Sequence, residues 1–503
     1  MEPVRTAPPA GYLGAEGRIT SGPAPAMEIA GYGYEIADAE FLHEALGIAH
    51  LAHVTMLAEQ GVIPAADRGP LVRGVLRMIE IPVDEFPYER QLGDAYNSQE
   101  KWLEAEIGAA AGWLSAGRTR REAGRLAFRL VLRDALVGLG RATAAFADSL
   151  TAVAQRHAQT LAPDYTYLQI AQATTFGHYL LSFSYPALRD CDRIRAALSW
   201  VDRSPGGVGG VAGSRLPLDR RRIAELLAFA GVIEHARDAM WQTDGLVDTC
   251  GAAVNATTNC ARLAQDLEIY ASSEFGIVQL ASDVSRASAL MPQKRNPYSL
   301  PVIRGAAGLV LGRLTGVAAM QQTPSARTDN LLYAYREVLG AVRTAGEVVD
   351  LAATVVRGLT ISQARLRELA HTGFAQATDV TEALCRNGAM DYRSAYRVVA
   401  RAAAIAVDEG LADLTHDALR QASEEVLGEP CALLAGELDE LLDPRAAVDS
   451  RTIEGGAAAG PLRDMVRACG ERCAEATAGF AADARRYEAM PAALRAAAAA
   501  VCG

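Results

Sequence analysis

The sequence predicts an all-α protein built on a bundle of long helices, and three observations carry that expectation. Half of the residues are apolar while only 6% are aromatic, and Ala and Leu dominate, a balance that favours helix over strand. Leu132, Leu136, Leu139, Ala142, Phe146, Leu150 and Val153 recur at spacings of three and four, and so do Val338, Val342, Ala345, Val349, Ala352 and Val356. Each set is a long seam of the kind that packs helix against helix. From Val302 to Met320 runs a Gly/Ala-rich apolar stretch interrupted by Arg304 and Arg313, which reads as a bundle helix and not a membrane span. Seams this long exceed what one chain covers, so self-association is expected.

The elements follow in order. Met1 to Pro25 is rich in Gly, Pro and Ala without an apolar signal core, and is expected to be a disordered lead-in. Ile36 to Gln60 is expected to be helical, with His43, His50 and His53 inside it. His50 and His53 share a face, but His43 lies about 10 Å further along the axis, so packing is preferred to a metal site. Gly61-Val62-Ile63-Pro64 ends that helix, and a second runs from Ala66 to about Ile79. Ile223 to Tyr270 is expected to be another long helix. Ser204 to Gly213 is glycine-rich but lacks Gly-Lys-Ser/Thr and a preceding strand, so it is not read as a nucleotide cradle. After Gly373 the helices become shorter, with breaks at Gly388, Gly410, Gly428 and Pro430. The expected divisions are a lead-in at 1–25, an N-terminal helical domain at 26–123, a central bundle at 124–372 and a C-terminal helical domain at 373–503.

Composition also excludes partners. A net charge of -11 argues against nucleic acid and anionic membranes. The eight cysteines form no Cys-x-x-Cys pair. Cys469 and Cys473, one helical turn apart, are read as buried thiols in a reducing compartment, hence a cytoplasmic location.

The chemistry centres on Ser285-Arg286-Ala287-Ser288-Ala289-Leu290-Met291-Pro292-Gln293-Lys294-Arg295-Asn296-Pro297. A loop serine with a nearby lysine and amide suits reactions on an anion. The hydroxyl moves a proton while Lys294 and Asn296 hold negative charge. This stretch resembles the S-S-x-M-P-x-K-x-N signature of the fumarase/aspartase superfamily, and its Leu-Met-Pro-Gln-Lys-Arg-Asn-Pro wording is most similar to the argininosuccinate lyase branch. Ala116-Gly117-Arg118-Thr119-Arg120-Arg121-Glu122 is similar to that branch's G-R-S-R-N-D-Q, and Tyr165-Thr166-Tyr167-Leu168-Gln169-Ile170-Ala171-Gln172 to its T-H-L-Q-x-A-Q. The glycine loop resembles P-x-G-x-G-A-x-A-G, with Gly210 for the first Ala. Phe374 to Asp379 and Gly455 to Ala458 extend the likeness, which runs from about Tyr34 to Val466.

The resemblance implies a three-domain fold with a tetrameric helical core, and sites built from stretches of three subunits. It implies Ser288 as the base that removes a proton beside a carboxylate. Asn97, Thr119, Arg120, Arg121, Thr166, Gln172, Lys294 and Asn296 would bind the dicarboxylate, with Thr119 and Arg120 on one carboxylate and Lys294 and Asn296 on the other. No metal or cofactor is expected. The departures fall on the amine half of the site. Tyr167 stands for the family's His and Pro301 for the Glu that partners it. Tyr96 replaces another His, Arg121 an Asn and Ala287 a Gly, and Pro324 to Asn330 does not match the guanidinium-binding stretch. Argininosuccinate is therefore not the expected substrate. Tyr167 is either a new general acid, a packing residue, or unneeded because the leaving group is as good as nitrite. The expectation is a C–N lyase acting on an N-substituted aspartate or related succinate. A non-catalytic helical tetramer and a carboxymuconate-type cycloisomerase remain the alternatives.

Overall fold

The computed structural model describes residues 18–19, 21–326, 332–386, 390–430 and 433–502. Met1 to Gly17 of the expected lead-in, Arg327 to Asn330 and Gly388 lie outside the described residues. The fold is all-α. Among the described residues the only sheets are four two-stranded pieces.

The principal helices are α1 (Ala39–Glu59), α2 (Ala65–Glu80), α3 (Ala95–Ile107), α4 (Arg120–Arg156), α5 (Phe176–Val201), α6 (Asp244–Tyr270), α7 (Ser299–Met320) and α8 (Ala334–Arg357). They are followed by α9 (Ala377–Arg386), α10 (Tyr392–Asp408), α11 (His416–Leu427) and α12 (Ala459–Ala500). Both heptad-like seams are in place. On α4 every seam residue but the half-buried Ala142 is buried, and on α8 all six are. Each fully buried Leu or Val contributes about 1.5–3 kcal/mol, so the seams rather than helix propensity hold the bundle together.

Side-chain contacts fix the helix directions. Arg129, near the start of α4, donates to the carbonyls of Trp200 and Val201 at the end of α5, so these two run antiparallel. Tyr335 at the start of α8 stacks on Phe128 with ring centroids 4.0 Å apart, and Arg357 at its end reaches Ser149 at 3.1 Å, so α8 runs parallel to α4. Tyr179 of α5 donates to Asp266 near the end of α6, and Arg304 near the start of α7 pairs with Glu268. Thus α4, α6 and α8 run one way and α5 and α7 the other. The last helix, α12, joins them. Arg133 of α4 stacks over its Tyr487 at 4.1 Å, and its Phe480 fills the space left by Gly140. The expected run of short helices after Gly373 therefore ends before Ala459, and the chain returns to the bundle with its longest helix. Helices α9 to α11 enclose a separate small core around Val380, Val398 and Leu419.

One expectation is corrected. Ile223 to Tyr270 is three helices, not one: Arg220–Leu226, Ala236–Trp241 and α6. Ala228 takes a left-handed φ of 52°, and the Leu227 carbonyl is received by Arg133 at 2.7 Å. With that carbonyl satisfied from outside, the first helix stops, and Gly231–Val232 pairs in parallel with Arg203–Ser204.

Candidate functional site

The expected site residues gather at the two opposite ends of the bundle. At the first end the N-terminus of α4 meets that of α3. Thr119 caps α4, its hydroxyl accepting from the Glu122 N–H at 3.3 Å, and it is exposed. Asp94 caps α3 by accepting from the Asn97 N–H at 3.0 Å. Its other carboxylate oxygen takes Arg120 at 2.6 Å. One aspartate thus ties both helix ends together and aims the Arg120 guanidinium. Arg121 pairs with Glu35 at 2.9 Å. Burial raises the Glu35 carboxyl above its ordinary value, with Arg121 pulling the other way. Arg120, Arg121, Glu35, Asp38, Tyr96 and Tyr335 line one cleft. Asn97 lines a second, which shares Arg120 and Tyr96, but its amide already donates to the Leu92 carbonyl at 2.6 Å.

Arg118 does not line both clefts in the way Arg120 does, although it borders the second. It is buried and donates to Nδ1 of His50 at 2.8 Å and to the Ala49 carbonyl at 3.2 Å. Arginine only donates, so His50 Nδ1 accepts and its Nε2–H donates to Oε1 of Gln99 at 3.0 Å. Burial, followed by the Arg118 cation, holds both His50 and His53 well below the ordinary histidine value. His43 Nε2 donates to the Ile81 carbonyl at 2.9 Å, and its Nδ1 lies 2.6 Å from the Tyr88 hydroxyl. His43 and His50 are joined through Gln99 in one packed polar network, and His53 is buried beside the Ala116 carbonyl at 3.0 Å.

At the other end are the β-hairpin and the serine loop. Strand β1 (Leu161–Thr166) pairs antiparallel with β2 (Gln169–Thr175). The two-residue turn between them is Tyr167-Leu168, with φ of 55° and 60°. Two positive φ values are what such a turn needs and what Gly or Asn normally supplies. A Tyr and a Leu there cost about 1–2 kcal/mol each. Tyr167 is 99% exposed at the tip, flanked by exposed Thr166 and Gln172. One pair in from the turn, Tyr165 packs on Tyr270 and Phe275, the segment that leads into the serine loop.

That loop is closed by β3 (Arg286–Ala287) pairing with β4 (Arg295–Asn296). Asn296 donates across to the Arg286 carbonyl at 3.0 Å. Ser288 is half-buried, and its Oγ accepts from the backbone N–H groups of Leu290 at 3.3 Å and Met291 at 3.1 Å. Lys294 is exposed, its backbone N–H held by the Met291 carbonyl at 3.1 Å. The 37 residues of α4 separate the two ends by about 55 Å at 1.5 Å per residue. One chain therefore does not unite Arg120 with Ser288.

Sequence reasoning missed Asp94 and Glu35, the partners of the two cleft arginines. A local signal existed only for Asp94, as a helix cap at the start of α3.

Comparison with known proteins follows the same outline. A family model described as Lyase matches residues 54–312, and one described as Argininosuccinate lyase C-terminal matches 374–449. Argininosuccinate lyase 1 of Mesorhizobium japonicum is 30% identical over 462 residues, covering 92% of this chain and 97% of that relative. Argininosuccinate lyase of Cupriavidus metallidurans is 33% identical, covering 83% of this chain and 89% of its own. Among solved structures, EDDS lyase in complex with formate matches with a TM-score of 0.85 at 24% identity, covering 96% of this chain and 97% of that one. The 3-carboxy-cis,cis-muconate lactonizing enzyme of Pseudomonas putida matches at 0.66 and 21%, covering 89% and 99%. These two structural likenesses carry the fold alone.

Proposed function

The chain belongs to the fumarase/aspartase superfamily, on its argininosuccinate lyase-like branch, and from that premise we propose a C–N lyase that releases fumarate from an N-substituted aspartate or related substituted succinate other than argininosuccinate. The reaction removes a proton from carbon beside a carboxylate, and the resulting anion needs fixed donors around it. Ser288 is the base. The observation that carries this role is its hydroxyl, which already accepts two loop N–H groups. The same two donors stabilise the alkoxide, and without such help a serine is a poor base near neutrality. Arg120 offers a planar fork to one carboxylate and Lys294 a point charge to the other, with Thr119, Thr166 and Asn296 as neutral donors.

Self-association, as a homotetramer, brings the two ends together. Helix α7 supports this. It is long and apolar enough to cross a membrane by length and composition, yet its most apolar window is only 17% buried. Val302, Leu309 and Leu311 are exposed on it, and beyond the helix's own neighbouring backbone no described atom lies within 4 Å of a Cβ placed on Gly305, Gly308, Gly312 or Gly316. Its Arg304 and Arg313 pair with Glu268 and Glu337 of neighbouring helices. A bare apolar face studded with glycines suits close packing against copies of itself. The seven described cysteines are free thiols, in keeping with a cytoplasmic enzyme.

Tyr167 stands strained and exposed at the hairpin tip, and we take it as the proton donor to the departing nitrogen in a neighbouring subunit's site. Backbone strain of this kind is kept where a function requires the side chain. The test is to incubate the protein with a panel of N-substituted aspartates and with argininosuccinate, and to follow fumarate. Fumarate from at least one adduct, and none from argininosuccinate, is the expected result. Silence across the panel, with no amine addition to fumarate in reverse, contradicts the proposal.

A further inference from the structure

Glu122 follows the Thr119 cap by three residues, the spacing at which a glutamate turns back to the N–H of the capping residue. It does not do so. Its carboxyl is fully buried, and Oε1 accepts the N–H of Gly207, 85 residues away, at 2.6 Å. Oε2 is buried without a hydrogen-bond partner among the described residues. Gly207, Gly209 and Gly210 have φ of 74°, 62° and 102°. Turns of this kind direct backbone N–H groups into a concavity that holds an anion. Here the chain's own carboxyl occupies it, which also accounts for a glycine-rich loop that is not a phosphate cradle.

The loop is held from its other side by Arg220, whose Nε donates to the Gly206 carbonyl at 3.1 Å. A Cβ on Gly207 would lie 2.8 Å from Cγ of Arg220, whereas one on Gly210 would lie 3.8 Å from the methyl of Thr119. The loop is thus gripped between Arg220 and Glu122 and rests beside Thr119. Burial raises the Glu122 carboxyl to about 7, against the lowering effects of the Gly207 N–H, the Arg118 cation, the Gly209 N–H and the Arg220 cation.

We propose that Glu122 is a positioning residue for substrate carboxylate binding: its buried carboxyl fills the nest of loop 205–213 and fixes that loop against Thr119. This rests on the reading of Thr119 and Arg120 as carboxylate binders. The test uses fumarate as the probe, titrated calorimetrically into the assembled wild-type protein and into Glu122→Ala, Glu122→Gln and Gly207→Ala. Gly207→Ala displaces the same loop from the Arg220 side without altering α4. Glu122→Ala and Gly207→Ala are expected to weaken fumarate binding by about tenfold or more, with the assembled size retained. Glu122→Gln should stay within about threefold, because the amide oxygen still accepts the Gly207 N–H. Wild-type affinity in Glu122→Ala and Gly207→Ala, or an equal loss in Glu122→Gln, overturns the inference alone. A wild-type protein that binds no fumarate overturns the functional reading and this inference with it.

Discussion

Replacing Ser288 with alanine is expected to lower turnover by about a hundredfold or more without unfolding the protein. The side chain is half-buried on an otherwise exposed loop and contributes only its two contacts to backbone N–H groups. Its loss leaves no cavity, so the stability change should stay near 0.5 kcal/mol or below. Catalysis has no such margin. A proton beside a carboxylate is very weakly acidic, and the structure offers a base only where an alkoxide is stabilised in advance. The two N–H groups would remain in the variant with nothing to activate. Initial rates of fumarate release alongside thermal denaturation check both halves, and unchanged turnover in the variant contradicts the assignment of the base.

Arg120→Met is expected to reduce kcat/KM by two to three powers of ten, about 3–4 kcal/mol, the usual cost of losing one fixed donor to a developing anion. Arg120→Lys should recover only part of this. A single ammonium cannot serve Asp94 and a planar substrate carboxylate with the geometry of a guanidinium fork. Steady-state kinetics of the two variants, read beside Asp94→Asn, separates the roles. Asp94→Asn keeps the cap of α3 and weakens the grip on Arg120, so it should fall between wild type and Arg120→Met. Equal activity in Arg120→Met and the wild type contradicts a carboxylate role for this arginine.

The bundle was legible because its signal is periodic. The seam from Leu132 to Val153 and that from Val338 to Val356 each put one stripe of a helix in the core, and spacing alone reveals such a stripe. The serine stretch was legible because the loop is contiguous, with Ser288 and Lys294 carried between two short paired strands and Asn296 on the second of them. What joins distant parts of the chain left no such trace. Asp94 and Arg120 are 26 residues apart, and Glu122 and Gly207 are 85 apart. Each pair looks like an ordinary cap or surface charge until the fold brings its members together. The direction of Arg118 left no trace for the same reason: adjacent to Thr119 in sequence, it turns the opposite way, to His50. The break between Leu226 and Ala236 was hidden because an external side chain, Arg133, ends the helix there.

The central claim is that each site takes its guanidinium and its serine from different subunits, because α4 holds them a helix length apart in one chain. Mixing subunits tests it most directly. Ser288→Ala and Arg120→Met proteins, each retaining about a hundredth of wild-type activity or less, are to be unfolded together, reassembled and assayed for fumarate release. Random assembly gives about a quarter of the sites both intact residues when these come from separate chains, so activity should return to about that fraction of wild type. A doubly substituted chain mixed with wild type controls for simple dilution. If the mixed variants stay as inactive as either parent although hybrid oligomers have formed, the two residues do not meet across subunits and the account fails.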